Sequence, residues 1–536
     1  MKTFLFVLLL FFSLNSYAQF HYSDSITIEQ NEKWFGGAVN EGWAMPFTNG
    51  YHLNLFGNIA GNQASPFLVS TTGRFIWSDQ PFAFTINQHH LYIQSIDKIV
   101  VEKSGNTIAT AYRAASKKYF PPAGKTPDTL LFTRPQYNTW IELIYNQNQE
   151  DILKYAHAII DNGFPPGVLM IDDNWAPYYG RFEFRKDRFP DAKGMINELH
   201  TLGFKVMIWV CPFIRPDGEE FRSLLHQRLL LFDNKGIATL PWSEAKEPAI
   251  IRWWNGYSAE MDFTNPEAVN WYSSQLKKMQ DEYGVDGFKL DAGDPEYYPA
   301  TSVSYKKATP NEQCEAWGQF GLMYPLNEYR AMWKRGGAPL AERLRDKGHT
   351  WEDLRTLIPN LTTAGLLGYQ FTCPDMIGGG DFGSFIGRDK LDQDLVVRSA
   401  QCSALMPMMQ FSAAPWRVLD PVHFNAVKKA VALRMKITPY IMQLVKETAI
   451  TGEPIARMME YVFPHEGLDT CKDQFMLGNK IMVAPMMEKG VQRTVIFPKG
   501  TWQDENGKVI KGPAVKQFQT PIDRLLWFEY KGIQDL

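Results

Sequence analysis

"GVDGFKLDAGD", residues 284–294, is a short apolar run broken by glycine that ends in two aspartates three positions apart, Asp291 and Asp294. Five other runs share its plan: "GVLMIDDNW" (167–175), "FKVMIWVCPF" (204–213), "GAPLAERLRD" (337–346), "GLLGYQFTCPD" (365–375) and "ALMPMMQFSAAPW" (404–416). Each is too short for a buried helix and apolar at successive positions, as a strand covered on both faces must be. Between them lie amphipathic stretches such as "QEDILKYAHAIIDNG" and "NPEAVNWYSSQLKKMQDEYG". Buried strands alternating with helices over about 300 residues predict an α/β fold, a (β/α)8 barrel whose strands are each followed by a helix. The change of texture at "TWIELIYN" (139–146) marks its first elements.

The flanking segments read differently. From residue 19 to 134, short alternating segments ("SITIEQ", "YHLNLFG", "FLVSTTGRFIWSD", "FAFTIN", "DKIVVEK") are separated by Gly, Asn and Pro, which predicts an N-terminal β-sandwich. The barrel is expected over 135–450. Strand and turn patterning returns over 451–536 ("QFMLGNKIMVAPMM", "QRTVIFPKGTWQDENGKVIKG"), predicting a C-terminal β domain, a second sandwich.

Length and charge narrow the function. A chain of 536 residues has ample core and room for several domains. Its 55 basic and 58 acidic residues carry a net charge of -3 without a Lys/Arg block that could track a phosphate backbone, so nucleic acid is not an expected partner. Residues 1–18 join one Lys to an apolar stretch from Thr3 to Leu14 and small residues at Ser16 and Ala18. This is the pattern of a cleaved secretory signal, shorter than the roughly 20 residues of a spanning helix. The expectation is an exported chain, periplasmic or secreted, with no membrane span after cleavage. Five cysteines lack C-x-x-C spacing, so neither a disulfide framework nor a zinc site is indicated; no metal or organic cofactor is expected.

The barrel reading locates the chemistry. In such barrels reacting groups stand at the C-terminal ends of strands. Here those ends carry Asp172, Asp173 and Trp175; Trp209; Asp291 and Asp294; Asp346; and Asp375. Carboxylates that bind hydroxyls, set beside indoles that stack on ring faces, compose a carbohydrate site. Glycosidic cleavage needs two carboxyl groups, about 5–5.5 Å apart for retention and about 6.5–9.5 Å for inversion. Asp291 follows Lys289, whose charge on the same side of the strand would keep it ionised. The competing reading of Asp291 is a strand-end aspartate that caps the next turn, and of Asp346 a solvated charge in "AERLRDKGH".

"GFKLDAGD" resembles the nucleophile motif of glycoside hydrolase family 31, the retaining α-glycosidases. "TTGRFIWSDQPFAF" is similar to that family's N-terminal sandwich, and "FPDAKGMINELHTLGFKVMIWVCPFI" to its early barrel. Further on, "RWWNGYSAEMDFTNPEAVNWY" resembles the segment before the nucleophile, "DMIGGG" the late-barrel turn, and "QFMLGNKIMVAPMMEKGVQRTVIFPKGTW" the domain after the barrel. The resemblance implies Asp291 as nucleophile. It implies Asp346 as acid/base, because Arg330 precedes it by sixteen residues and Trp351 follows by five, as in the family. Partial burial and the Asp291 charge would then keep Asp346 protonated at rest. It further implies that Asp172 grips sugar hydroxyls, that Trp254 lines the same subsite, and that Arg330, with Arg343 as its alternative, contacts the sugar. Asp173, Trp175, Trp209 and Lys289 are further substrate-binding candidates, and Asp375 a supporting or structural one.

Departures from the common α-glucosidase pattern bear on the sugar. Lys289 and Asp294 replace that pattern's Trp and Glu, Cys211-Pro212 its Asp-Pro, and Gln410 and Ser412 its Arg-x-His on the last strand. In α-glucosidases that His is implied to bind equatorial glucose hydroxyls. The combination "IDDNW", "FKLDAGD", "RDKGHTW" and "PDMIGGG" looks most like the family's α-galactosidase branch, so the expectation is an exo-acting α-galactosidase on oligosaccharides or glycans. The alternatives are an α-xylosidase or α-glucosidase of the same family, a transglycosylase, or a glycan-binding protein without catalysis. The sequence leaves linkage, aglycone and oligomeric state open.

Overall fold

The computed structural model describes residues 20–233, 242, 247–386 and 391–532. The expected signal segment lies outside the described residues. Eight short parallel strands build the central sheet: β1 (Gln136–Asn138), β2 (Val168–Ile171), β3 (Lys205–Val210), β4 (Gly287–Leu290), β5 (Asn327–Tyr329), β6 (Ala341–Arg343), β7 (Phe371–Cys373) and β8 (Gln410–Phe411). They neighbour one another in chain order, and β8 returns to pair with β1 through Gln410↔Gln136. The remaining seam, β7 to β8, is bridged beyond the end of β7 by a parallel contact between Met376 and Gln410. The sheet is a nearly closed barrel.

Helices cover its outside, and their ends are encoded locally. Before α1 (Gln149–Asp161) the Asn148 side chain accepts from the Asp151 amide, and Asp191 does the same from Gly194 ahead of α2 (Ala192–Thr201). Asn265 and Pro266 start α3 (Pro266–Tyr283), which stops at left-handed Gly284. A capping box of Thr309 and Glu312 begins α4 (Pro310–Gly321), and Thr350 caps α5 (Trp351–Leu366). The last two, α6 (Gln393–Ala404) and α7 (Pro421–Thr451), lead out of the barrel.

Three features depart from the sequence reading. The first barrel strand lies before "TWIELIYN", not in it: β1 ends at Asn138 and Trp140–Leu143 is a short helix. No helix joins β5 to β6. In its place Met332–Trp333 runs as a strand parallel to Gln63–Ala64 in the N-terminal half, so the barrel lends an edge to a neighbouring sheet. Third, the β3-to-β4 connection carries a three-stranded antiparallel sheet of Phe213–Ile214, Ile250–Trp253 and Gly256–Glu260, whose turn presents Trp254 and Asn255.

The N-terminal segment holds two sheets. One orders Tyr22–Thr27, His90–Ser95, Phe82–Asn87 and His52–Asn54; the other contains Gln63–Ser70, Arg74–Trp77 and Val100–Lys103, with Trp34–Ala38 paired to Gln63–Ser70. A helix, Ile108–Tyr119, follows them where only strands were expected. One continuous apolar core runs from Trp34 and Phe67 in these sheets through the barrel to Ile441 and Val445 of α7. A six-stranded sheet ends the chain, with its own smaller core around Trp502, Phe497 and Phe528. Of the cysteines, Cys211, Cys314, Cys373 and Cys402 are buried and all five are free. Among the described residues no helix is long and apolar enough to cross a membrane.

Candidate active site

Asp291 is the first residue past β4, and its amide donates to the Val210 carbonyl of β3, which fixes where the side chain leaves the sheet. Its carboxylate accepts from Trp209 Nε1 at 2.8 Å and from the Ala292 amide at 3.0 Å. Arg330 Nε lies 3.9 Å away and Arg343 Nη2 4.0 Å away. Burial alone would raise this carboxyl, but the charges of Lys289, Arg330 and Arg343 and the Trp209 hydrogen bond outweigh it and hold the group at about 2. An unprotonated, hydrogen-bonded carboxylate is the state a nucleophile requires.

Lys289 does not touch Asp291. Its ammonium pairs with Asp172 Oδ2 at 2.5 Å, both side chains being buried, and it acts on Asp291 through its charge. Asp294 is also buried; its Oδ2 accepts from Arg330 Nε at 3.1 Å. Asp294 therefore holds Arg330 rather than facing the cavity.

On the opposite side, β6 ends at Arg343, and Leu344 continues the ladder by donating to the Cys373 carbonyl. Two residues on, Asp346 emerges with 30% of its side chain exposed, and Arg343 Nη1 donates to its Oδ1. The segment that looked like a charged surface is buried at Arg343 and Leu344. Arg343 lies among four acids: Asp346, Glu328 Oε1 at 3.2 Å, Asp375 Oδ1 at 3.6 Å and Asp291. A guanidinium stays charged in any protein environment, so it is a permanent counter-ion for this group.

A network of tyrosines and one asparagine organises the third wall. Tyr145 Oη donates to Asn255 Oδ1 at 2.8 Å, and Asn255 Nδ2 donates to Asp173 Oδ2 at 2.7 Å. Tyr179 Oη also donates to Asp173 Oδ2, at 2.9 Å. Burial, with the Asp172 charge second, still pushes the Asp173 carboxyl up to about 7. Above this wall Trp254, 43% exposed, lies 5.1 Å from the Arg330 guanidinium.

These groups enclose one cavity of about 430 Å³. Asp172, Asp173, Trp209, Trp254, Lys289, Asp291, Arg330 and Asp346 line it, together with Trp140, Tyr145, Asn255, Asp381 and Phe382. Eight of the eleven residues singled out in the sequence thus meet at one place. Arg343 and Asp375 lie outside that lining, as supports of Asp346, and of the two arginines it is Arg330 that reaches the cavity. Trp175 is outside it as well. It is buried, donates from Nε1 to the Trp209 carbonyl at 2.7 Å, and packs against Phe184 at a tilt of 54°, so it holds the strand segment that carries the indole beside Asp291. Trp175 also borders an adjoining cavity of about 350 Å³ with Tyr178, Tyr179 and Tyr257. Gln410 and Ser412 face the barrel interior: Gln410 donates to Glu328 Oε2 at 2.6 Å, and Ser412 Oγ accepts from the Ile141 amide at 2.7 Å.

Sequence reasoning missed Trp140, Tyr145, Asn255, Asp381 and Phe382. Three had a usable signal. Trp140 and Tyr145 follow a strand end, and Asp381 directly follows the "DMIGGG" turn. Asn255 had none, since its partners Tyr145 and Asp173 are about a hundred positions away. Among the described residues no group of three or more His, Cys, Asp or Glu is arranged to hold a metal ion.

The model for the glycosyl hydrolases family 31 TIM-barrel domain matches residues 131–444, and that for the same family's C-terminal domain matches 452–532. The myogenesis-regulating glycosidase of Mus musculus is 31% identical over 430 residues, which cover 78% of this chain and 59% of that protein. Alpha-glucosidase 2 of Bacillus thermoamyloliquefaciens is 24% identical over 509 residues (85% and 62%), and alpha-xylosidase XylQ of Lactiplantibacillus pentosus 24% over 503 (85% and 61%). The chain thus spans about three fifths of these relatives' length. A solved Flavobacterium johnsoniae GH31 dextranase complexed with glucose superposes with a TM-score of 0.84 at 19% identity, covering 95% of this chain and 66% of the dextranase.

Proposed function

Since the chain belongs to glycosyl hydrolase family 31, we propose that it is a retaining, exo-acting α-glycosidase with Asp291 as nucleophile and Asp346 as acid/base. The observation that carries this reading is that these two carboxyls line one cavity and share one buried guanidinium, Arg343. Asp291 attacks the anomeric carbon as the bond to the leaving oxygen breaks, and that oxygen takes the proton of Asp346. Water then attacks the glycosyl ester, gives its proton back to Asp346, and frees Asp291. Trp209 and Arg330 steady the Asp291 carboxylate, and Asp172, with Lys289 behind it, binds hydroxyls of the same ring.

The names of the relatives favour an α-glucoside or α-xyloside as the sugar. An α-galactoside is the second reading. It is favoured by Lys289 bound to Asp172 in the cavity wall and by Gln410 and Ser412, which leave no histidine on β8 to meet an equatorial hydroxyl. A site of buried hydrogen bonds separates such sugars by about 10⁴-fold or more. The test is hydrolysis of p-nitrophenyl α-glucoside, α-xyloside and α-galactoside by the wild type, Asp291→Asn and Asp346→Asn. Turnover of one sugar by the wild type, with retained configuration and loss in both variants, is expected. Full activity in either variant removes that residue from the mechanism, and inversion at the anomeric carbon overturns the retaining chemistry.

A further inference from the structure

Asp375, two residues past β7, is 1% exposed, stands in the left-handed region at φ 84°, and does not line the cavity. A non-glycine residue keeps such a backbone only where its surroundings enforce it. The enforcing contacts are on one oxygen. Oδ2 accepts from the Lys347 amide at 2.7 Å and from the Gly380 amide at 3.1 Å, tying the residue after Asp346 to the glycine turn after β7. The tie is doubled by the Asp381 amide, which donates to the Lys347 carbonyl at 3.0 Å. There is no room for side chains at this seam. A Cβ on Gly379 would stand 2.5 Å from that carbonyl, and one on Gly380 would stand 2.6 Å from Asp375 Oδ1 and 3.2 Å from Asp346 Oδ1.

The other oxygen is idle. Oδ1 is buried, has no hydrogen-bond partner, and lies 3.6 Å from Arg343 Nη1, the same nitrogen that donates to Asp346. An acid/base changes charge twice per turnover, from neutral to anion when it protonates the leaving oxygen and back when it takes a proton from water. Arg343 is 1% exposed and keeps its charge throughout, so a neutral Asp346 would leave that nitrogen without an anionic acceptor in a dry site. That nitrogen also donates to the Leu344 carbonyl at 3.3 Å, and the carboxylate oxygen beside it that could take the place of Asp346 is Asp375 Oδ1.

We propose that Asp375 is a positioning residue for the acid/base: it anchors the backbone beside Asp346, and its Oδ1 takes over the Arg343 hydrogen bond whenever Asp346 is protonated. The exchange moves one guanidinium hydrogen bond and no proton of Asp375. Its surroundings agree with such reciprocity. Burial, and next the charge of Asp346, raise the Asp375 carboxyl to about 7, so the two carboxyls compete for one cation. Acting on the pair are Arg343 and Lys347 from β6 and its extension, Cys373 on β7 itself, and Arg330 past β5, whose charge reaches Asp346.

The proposal rests on Asp346 being the acid/base, so that premise is tested separately. Asp346→Ala should regain turnover of a dinitrophenyl glycoside with azide and release a glycosyl azide; its failure sinks the premise, whatever Asp375 does. With the premise standing, Asp375→Asn keeps an oxygen for the Lys347 and Gly380 amides but removes the charge opposite Arg343, whereas Asp375→Ala removes both. The readout is kcat/KM on two glycosides of whichever sugar the wild type accepts: the dinitrophenyl glycoside, whose leaving group needs no proton, and the methyl glycoside, whose leaving group does. The expected result for Asp375→Asn is a loss at least tenfold larger on the methyl glycoside, with thermal unfolding near that of the wild type. Asp375→Ala should lose more on both and keep the same bias. Equal losses on the two substrates, or none, would reduce Asp375 to a structural tie and overturn the proposal.

Discussion

Asp291 and Asp173 line the same cavity yet are driven in opposite directions, one to about 2 and the other to about 7. The difference is partnership: Asp291 faces Lys289, Arg330 and Arg343, whereas Asp173 is hydrogen-bonded only by neutral groups and neighbours Asp172. Replacing Asp291 by Asn is expected to lower kcat by about 10⁴-fold or more on the accepted nitrophenyl glycoside. Asp173 makes a separate prediction about stability. Its folded form keeps a proton that the unfolded chain has lost at about pH 3.9, so its contribution is full below that pH and is lost as pH rises toward about 7. Asp173→Asn should therefore flatten the fall in melting temperature between about pH 4 and 7, read by thermal scans across that range. A fall unchanged by the substitution would refute the raised carboxyl. Strand-end logic made Asp172, Asp291 and Trp209 legible because their side chains leave short buried strands directly into the cavity. Trp175, expected there too, lines the adjoining cavity, since direction past a strand end depends on the following turn, which here sends the indole back to the Trp209 carbonyl.

At the scale of elements, six of the eight barrel strands were readable as short apolar runs, and β1 and β5 were not. β1 and β8 carry Gln136, Asn138 and Gln410 inward, where Gln410 spans from Gln136 to Glu328. A buried strand that satisfies its neighbours with amides has no hydrophobic signature to find. The acid/base loop and the turn after β7 behave as one element, which gives a contrast. Gly379, at φ 107° and within 2.5 Å of the Lys347 carbonyl if given a Cβ, cannot accept alanine without moving that loop. Gly379→Ala should reduce kcat/KM by about tenfold or more, since small misplacements of a catalytic group carry large penalties. Thr350→Ala, a few residues away, removes the cap of α5 and should cost about 1 kcal/mol of stability with little change in kcat/KM. Urea titration and steady-state kinetics on both proteins check the pair; equal kinetic loss in the two would refute the separation.

For the whole molecule, the N-terminal sheets are part of the site's scaffold. Asn62 Nδ2 and Gln63 Nε2 each donate to the carbonyls of both Arg330 and Arg343, at 2.9 to 3.0 Å. These are the two cations that hold Asp291 and Asp346, so the reach of one unit sets the charge geometry of another. A double substitution, Asn62→Ala with Gln63→Ala, should lower kcat/KM by about tenfold while binding of a nonhydrolysable monosaccharide changes less. Kinetics beside calorimetric titration distinguishes this from general destabilisation. The division into sheets, barrel and terminal sheet was legible as changes of texture; this dependence was not, because it runs through side chains about 270 positions from the carbonyls they hold.

The strand Met332–Trp333, lent by the barrel to the N-terminal sheet, also sets a timetable. Its partners Gln63 and Ala64 leave the ribosome about 270 residues earlier, which at about 5–20 residues per second is a wait of roughly 15–50 s. Through that interval Gln63 and Ala64 lack this partner while Trp34–Ala38 and Arg74–Trp77 pair with the rest of the strand, and unpaired amides and carbonyls are the kind of surface on which chains associate wrongly. The N-terminal sheets are thus completed only after the barrel strand that joins them, and their yield depends on whatever shields Gln63 and Ala64 until residue 333 arrives.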